Sequence, residues 1–138
     1  MMKPIMPVEE FTTPNPVTAT EDMPIDDLRQ LMQEFGVRHL PIVRGSRVVG
    51  IVSDRDVRVV QGLSLEHSIQ VRAGDIMAGD PVTVTAGTPL DEVAYTMSDR
   101  KIGSVIVYED SGEFLGIFTV TDALNALIEV SREESGDA

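Results

Sequence analysis

Two similar heptads, GIVSDRD and GIFTVTD, contain the residues with the clearest potential for chemistry. In each, an apolar run ends in a hydroxyl residue followed three positions later by an aspartate: Ser53 with Asp56, and Thr119 with Asp122. This spacing is typical of a capping box at a helix start. A helix N-terminus also favours an anion, and a carboxylate can accept both hydrogens of a ribose diol. The pattern predicts either two capped helices or two ligand sites in which the aspartates face sugar.

The charge of the chain limits its partners. The formal net charge is -12, which argues against nonspecific nucleic-acid binding because affinity for phosphate backbones comes from clustered Lys and Arg. Seven of the eleven basic residues lie between Arg29 and Arg72. Local positive charge for an anionic ligand is therefore concentrated in the first half of the chain.

The composition gives no support for catalysis, metal binding or a membrane span. The chain has no cysteine, no GxxxxGK[ST] loop and only two histidines, His39 and His67, without a flanking ligand pattern. Its apolar stretches are too short to cross a bilayer, and MMKPIMPVEEF lacks the apolar centre of a signal peptide. We therefore expect a cytoplasmic protein without a catalytic site or a metal.

The chain contains an internal repeat. NPVTAT at 15–20 aligns with DPVTVT at 80–85, and after one extra residue in YEDSGE the two heptads also align. Such order predicts two copies of one supersecondary unit, each exposing an apolar face that its twin can cover. We assign residues 8–60 to the first repeat, 61–71 to a connector, 72–130 to the second repeat and 131–138 to an acidic flexible tail.

Each repeat has the pattern strand, helix, strand, strand, helix. The first helix of each is predicted from apolar residues at helical spacing, namely Ile25, Leu28, Leu31, Met32 and Phe35, and Leu90, Val93, Ala94 and Met97. Two apolar runs joined by a short polar turn then predict a hairpin. A further capping pattern, Thr88 with Asp91, begins the first helix of the second repeat, where we expect capping alone.

Over about residues 8–130 the chain resembles a pair of CBS domains, the module named after cystathionine β-synthase and also found in inosine monophosphate dehydrogenase and in the γ subunit of the AMP-activated kinase. The resemblance rests on NPVTATEDMPIDDLRQLM, GVRHLPIV and VVGIVSDRD and on their counterparts DPVTVTAGTPLDEVAYTM, KIGSVIVY and FLGIFTVTD. It implies an α/β (α+β) fold in which tandem β-α-β-β-α repeats pack through their sheets with pseudo-twofold symmetry. It also implies two clefts for adenosine-containing ligands.

Carried over to this sequence, the resemblance implies two sets of nucleotide-binding residues. One cleft would use Ile117, Thr119 and Asp122 with Thr12, Val17, Val37, Arg38 and His39. The other would use Ile51, Ser53, Arg55 and Asp56 with Met77, Val82, Ile102, Gly103 and Ser104.

The two clefts differ in basic residues. Arg38 and His39 align with Gly103 and Ser104, so we expect the Asp122 cleft to prefer a phosphorylated ligand. The Asp56 cleft would be weaker, empty or tolerant of a less charged adenosine compound, unless Arg55 and Arg58 compensate. His39 is equally explained as a hydrogen-bonded histidine at a strand start, and Arg55 as a solvated helix residue.

The resemblance implies a regulatory module, here a stand-alone pair without catalysis or a catalytic cofactor. Its expected ligands are AMP, ADP or ATP, with S-adenosylmethionine or NAD as alternatives. Its expected partners are a second copy of the chain, forming a homodimer, and an unknown protein target, but neither a membrane nor nucleic acid. The alternative is a structural dimerisation module with vestigial clefts.

Overall fold

The structure is a computed structural model that describes residues 6–136 of the 138-residue chain. The strands are β1 Thr13–Pro14, β2 His39–Arg44, β3 Arg47–Ser53, β4 Ala78–Gly79, β5 Thr83–Thr85, β6 Ser104–Tyr108 and β7 Phe114–Thr119. The α-helices are α1 Ile25–Phe35, α2 Asp54–Gln61, α3 Leu65–Ser68, α4 Ala73–Ile76, α5 Leu90–Arg100 and α6 Val120–Gly136. This mixed α and β composition confirms the predicted fold class.

The chain divides into two compact units. The first-repeat unit is Pro16–Pro81, and the second-repeat unit joins the chain up to Asn15 with the chain from Val82 onward. These bounds differ from the sequence repeats because each sheet takes a short edge strand from the segment that precedes the other repeat. Thus β4 pairs with β3, and β1 pairs with β7.

The first-repeat unit contains an antiparallel sheet with the order β2-β3-β4. A two-residue turn joins β2 to β3, and its Gly45 has φ 62°, a conformation that favours glycine. The strand predicted before α1 is reduced to a single parallel bridge between Ala19 and Ile42. There the Ala19 N–H donates to Pro41 O at 3.0 Å, and the Val43 N–H donates to Ala19 O at 2.8 Å.

The second-repeat unit contains a sheet with the order β1-β7-β6-β5, in which β5 runs parallel to β6 and the other pairs are antiparallel. Both hairpins shift register at matching positions, between Ile42 and Val43 and between Val107 and Tyr108. The repeat detected in the sequence therefore extends to the irregularities of the strands.

Each unit has its own apolar core. The buried core of the first-repeat unit consists of Ala19, Ile25, Leu28, Met32, Leu40, Ile42, Val52, Val57, Val60 and Ala73. That of the second-repeat unit consists of Val8, Ala86, Val93, Met97, Val105, Val107 and Phe118. The first helix and the hairpin of each repeat thus cover each other, as the helical spacing predicts.

The sequence predicts that Phe35 lies on the buried face of α1, and this prediction is wrong. Ile25, Leu28 and Met32 are buried, whereas Phe35 is 56% exposed. Phe35 is the last residue of α1, and Gly36 follows it in the left-handed conformation with φ 63°. The chain turns away at this cap, so no neighbouring element covers the final helical position.

The C-terminal segment also differs from expectation. We predicted an acidic flexible tail over 131–138, but α6 continues to Gly136, and residues 137–138 lie outside the described chain. The segment EVSREES contains Glu and Arg, which favour a helix even where the helix is solvated. No helix within residues 6–136 combines the length and the apolar character needed to cross a bilayer.

Truncation of Leu28 tests the core of the first-repeat unit. Leu28 is fully buried, and Leu28→Ala should lower the free energy of unfolding by about 2 to 5 kcal/mol because it removes apolar contacts and leaves a cavity. Phe35→Ala, on the same helix, should change it by less than about 0.5 kcal/mol. Urea denaturation of both variants measures the difference, and equal losses would contradict the packing described here.

Candidate functional site

The predicted capping box at the start of α2 is confirmed. Ser53 ends β3, and its N–H donates to Asp56 Oδ2 at 3.0 Å, while the Asp56 N–H donates to Ser53 Oγ at 3.2 Å. The other oxygen of Asp56, Oδ1, accepts no hydrogen bond from residues 6–136. One carboxylate oxygen therefore caps the helix, and the other keeps its lone pairs for an external donor.

The start of α6 has the same arrangement with one addition. The Thr119 N–H donates to Asp122 Oδ2 at 2.9 Å, and the Asp122 N–H donates to Thr119 Oγ1 at 3.4 Å. The Thr13 hydroxyl also donates to Asp122, at 3.2 Å from Oδ1 and 3.4 Å from Oδ2. Both oxygens of Asp122 therefore have partners within the second-repeat unit.

Arg38 and His39 lie beside the first of these helix starts. His39 is opposite Ser53 in the ladder between β2 and β3, and the Asp54 N–H donates to Arg38 O at 2.9 Å. The family resemblance implied that Arg38 and His39 belong to one cleft and Ser53 to the other. The register of a single hairpin brings them together in the first-repeat unit.

The second helix start has the same backbone geometry without basic side chains. Ser104 is opposite Thr119, and the Val120 N–H donates to Gly103 O at 3.2 Å. Ser104 is 8% exposed. Within the second-repeat unit, the carboxylate of Asp122 is therefore accompanied by hydroxyl groups rather than by cations.

The charge at the first helix start is mixed. Burial lowers the pKa of His39 below its ordinary value of 6.5; Asp54 and Asp56 oppose this effect, and Arg38 adds to it. His39 is therefore mainly neutral at pH 7. Arg58 pairs with Asp54 at 3.6 Å, with side chains 71% and 41% exposed, and Arg55 is exposed. Such an exposed pair adds little to stability.

Thr13 is a contact of Asp122 that the family resemblance did not include. We selected its neighbour Thr12, but Thr12 is 9% exposed and its hydroxyl donates to Val8 O at 2.8 Å. Thr13 instead contacts Asp122. No signal within one repeat distinguishes two adjacent threonines, because the choice depends on which one the pairing of β1 with β7 directs toward α6.

The apolar residues among the predicted contacts adjoin the two cores. Val17, Val37 and Met77 are partly buried against the core of the first-repeat unit. Val82 and Ile102 pack in the same way against the other core. Ile51 and Ile117 are 8% and 4% exposed. These residues therefore have packing roles within their units, whatever contact they make with a ligand.

A separate groove lies between α1 and α2. Its volume is about 330 Å³, and its lining residues are Arg29, Met32, Gln33, Val37, Asp54, Val57, Arg58 and Gln61. Val37 is the one predicted contact among them, and neither Ser53 nor Asp56 takes part. The part of the chain that the structure describes contains no group of three or more His, Asp or Glu residues suited to a metal ion.

Comparison with known proteins identifies the same repeat. The family model of the CBS domain matches residues 8–61 and 73–129. An inosine-5'-monophosphate dehydrogenase of Korarchaeum cryptofilum is 33% identical over 122 residues, which are 88% of this chain and 24% of that enzyme. The chain thus spans about a quarter of the length of this relative.

Solved structures with the same fold include complexes with adenosine compounds. CBSX2 of Arabidopsis thaliana in complex with AMP is 27% identical with a TM-score of 0.77, covering 91% of this chain and 98% of that one. The CBS domain pair of protein MJ0100, in complex with 5'-methylthioadenosine and S-adenosyl-L-methionine, is 26% identical with a TM-score of 0.79. That match covers 93% of this chain and 99% of that one.

Removal of the hydroxyl should lower stability at Ser53, which caps α2, but not at Thr88, which has the capping pattern in sequence without the hydrogen bond. Ser53→Ala should destabilise the protein by about 1 kcal/mol because it removes the acceptor of the Asp56 N–H. The capping predicted for Thr88 with Asp91 is wrong, since Pro89 precedes α5 without a side-chain cap and Thr88 Oγ1 lies 3.2 Å from Thr85 Oγ1.

Thr88→Ala is therefore the matched control and should cost less than about 0.5 kcal/mol. Chemical denaturation at constant pH measures both values. A loss for Thr88→Ala as large as that for Ser53→Ala would contradict the assignment of the caps.

The burial of His39 should make stability depend on pH. Because the folded state lowers the pKa of this imidazole, the unfolded state binds more protons, and stability falls as pH decreases from 6.5 through the folded pKa. His39→Gln should remove this part of the loss. His67→Gln, at an exposed position of α3, is the matched control for the loss of an imidazole.

Urea denaturation at about pH 7.5 and about pH 5.5 gives the comparison. Both variants lose one imidazole, so the difference between their pH dependences reports the burial of His39. An identical pH dependence in His39→Gln and the parent would refute this role of its burial.

Proposed function

The chain belongs to the CBS-domain family and carries two of these domains in tandem, and from this premise we propose that it is a regulatory module that binds adenosine-containing ligands. AMP, ADP or ATP are the favoured ligands. The binding groups are the two strand-to-helix turns, Ser53 to Asp56 and Thr119 to Asp122. The module performs no reaction of its own; ligand binding alters its contact with a second copy or with a protein target.

The observation that carries this proposal is the carboxylate of Asp56. Its Oδ2 is fixed by the capping box, and its Oδ1 accepts no hydrogen bond within residues 6–136. A carboxylate held by a rigid turn with free lone pairs suits the two hydroxyl groups of a ribose. Because the cap orients the side chain before binding, little conformational entropy is lost when the sugar binds.

Cations near this turn support a phosphorylated ligand. Arg38 and Arg55 are exposed, His39 lies opposite Ser53, and the N-terminus of α2 adds its dipole. We therefore assign the preference for phosphate to the turn at Asp56, in place of the cleft around Asp122 that alignment alone favoured. A bound phosphate would favour the charged imidazole of His39, so binding should be accompanied by proton uptake.

Complexes of the relatives support adenosine compounds as the class of ligand but do not identify which compound this chain binds. CBSX2 has been solved with AMP, and the pair from MJ0100 with 5'-methylthioadenosine and S-adenosyl-L-methionine. Adenosine is common to all three compounds, whereas phosphate is not. Adenine and ribose therefore define the proposed ligand, and S-adenosylmethionine and NAD remain alternatives to the nucleotides.

A second candidate function, a structural dimerisation module, is favoured by one surface. Leu124, Leu127 and Ile128 recur at helical spacing on α6 and are 55%, 60% and 46% exposed. Adjacent exposed apolar side chains on one helix face are typical of an interface. A homodimer is compatible with both functions, so ligand binding is what distinguishes them.

Thermal unfolding with AMP tests the proposal. A ligand at 100 times its dissociation constant should stabilise the protein by about 2.7 kcal/mol, which raises the melting temperature by several degrees. Asp56→Asn should weaken AMP binding about 10- to 100-fold because it removes charge-assisted hydrogen bonds to the ribose. Asp91→Asn, at the uncapped start of α5, is the matched control and should bind as the parent does.

Isothermal titration calorimetry measures the affinity of each protein for AMP. Native mass spectrometry of the purified protein measures the stoichiometry of binding and the oligomeric state. Retained binding in Asp56→Asn would refute the role of this carboxylate. If AMP, ADP, ATP, S-adenosylmethionine and NAD all leave the melting temperature unchanged, the structural dimerisation module is the correct function.

A further inference from the structure

We propose that Thr13 acts as an internal lock on Asp122, so that an adenosine ligand binds first at the turn of Asp56 and second at the turn of Asp122. This inference rests on the proposed function and assigns an order to its two binding turns. Thr13 would be a specificity-determining residue that neither the repeat nor the capping pattern predicts.

In this lock, the Thr13 hydroxyl donates to the Asp122 carboxylate, which is the group that would accept hydrogen bonds from the ribose of the ligand. Thr13 Oγ1 lies 3.2 Å from Asp122 Oδ1 and 3.4 Å from Oδ2. The Thr119 N–H and Thr119 Oγ1 lie 2.9 and 3.1 Å from Oδ2. A ribose hydroxyl is chemically the same kind of donor as the Thr13 hydroxyl. A ribose diol, which brings two such donors to the carboxylate, therefore competes with Thr13 at Oδ1 of Asp122.

The backbone of β1 holds Thr13 in this position. Thr13 is opposite Ile117 and Pro14 is opposite Gly116 in the antiparallel ladder. A Cβ atom built on Gly116 would lie 2.0 Å from Thr13 O, so the close approach of the two strands requires glycine there. The Asn15 N–H donates to Leu115 O at 3.2 Å and continues the pairing.

The equivalent position in the first-repeat unit has no hydroxyl. Strand β4 lies against β3 as β1 lies against β7, with Ala78 opposite Ile51 and Gly79 opposite Gly50. Ala78 therefore corresponds to Thr13, and its methyl group cannot donate to Asp56. This difference accounts for why Oδ1 of Asp122 accepts a hydrogen bond from Thr13, whereas Oδ1 of Asp56 accepts none from residues 6–136.

The lock is weak enough for a ligand to open. Thr13 is exposed, and both of its distances to Asp122 are at the long end for a hydrogen bond. Loss of one such bond corresponds to a change in affinity of about 3- to 10-fold. The Asp122 turn therefore remains able to bind, but at a higher ligand concentration than the Asp56 turn.

Substitutions at Thr13 and Ala78 test the order in which the two turns bind AMP. Isothermal titration with AMP is carried out in two backgrounds, Asp56→Asn to report the Asp122 turn and Asp122→Asn to report the Asp56 turn. In the first background, Thr13→Val removes the hydroxyl at nearly constant volume and should lower the dissociation constant about 3- to 10-fold. Thr13→Ser keeps the hydroxyl and should leave it unchanged.

In the second background, Ala78→Thr introduces the lock and should raise the dissociation constant of AMP about 3- to 10-fold. Ala78→Val is the control, because it adds the same volume without a donor and should bind AMP as the background does. Thr13 and Ala78 are both exposed, so these substitutions should leave the unfolding transition unchanged, which chemical denaturation checks.

The outcomes separate the lock from the proposed function. If the parent protein binds AMP but Thr13→Val leaves the affinity of the Asp122 turn unchanged or lowers it, Thr13 is not a lock and this inference is overturned. The same holds if Ala78→Val weakens binding as much as Ala78→Thr, since bulk then explains the effect. If the parent binds no adenosine compound, the proposed function itself fails, and the order of filling fails with it.

Discussion

The first backbone N–H groups of α2 and α6 need hydrogen-bond acceptors, and the functional features of both units follow from how that need is met. In each unit a strand ends in a hydroxyl residue, and an aspartate three positions later returns its carboxylate to the strand end. The reciprocal bonds fix both the direction in which the helix leaves the sheet and the orientation of the carboxylate. A side chain held in one rotamer for capping is also preorganised for binding.

Pairing between strands determines what surrounds each carboxylate. His39 lies opposite Ser53 because the hairpin of the first repeat closes in that register, and Ser104 lies opposite Thr119 for the same reason. The edge strands β1 and β4 come from the segments that precede the other repeat, and they bring Thr13 or Ala78 beside the second strand of each hairpin. The two turns thus have the same backbone pairing but different neighbouring side chains, with Arg38, His39 and Ala78 at the first in place of Gly103, Ser104 and Thr13 at the second.

These differences give the two turns distinct chemistry. Arg38 and His39 provide positive charge or a proton acceptor at Asp56, whereas Gly103 and Ser104 do not at Asp122. The Thr13 hydroxyl donates a hydrogen bond to Asp122, whereas Ala78, at the equivalent position beside Asp56, has no donor in its side chain. In a chain with a formal net charge of -12, the arginines near the Asp56 turn are the local positive charge that supports the proposed phosphorylated ligand there.

The sequence by itself determined the repeat, the order of helix, hairpin and helix within each repeat, and the two capping boxes. Helical spacing identified Leu28 and Met32 as core residues, and the spacing of Ser53 to Asp56 identified a real cap, because both signals depend on residues within one or two turns of chain. Prediction from spacing was wrong where the outcome depends on neighbouring residues. Phe35 has the helical spacing of a core residue, but no element packs over it. Thr88 has the capping pattern, but Pro89 is the residue that directly precedes α5.

Only the tertiary structure decided which residues meet around each carboxylate. His39 is 14 positions from Ser53, and Thr13 is separated from Asp122 by 109 positions; strand register brings the members of each pair together. Local pattern contains no information about register between distant strands. The contact of Thr13, rather than Thr12, with Asp122 and the position of His39 opposite Ser53 therefore depend on backbone pairing, which no local pattern determines.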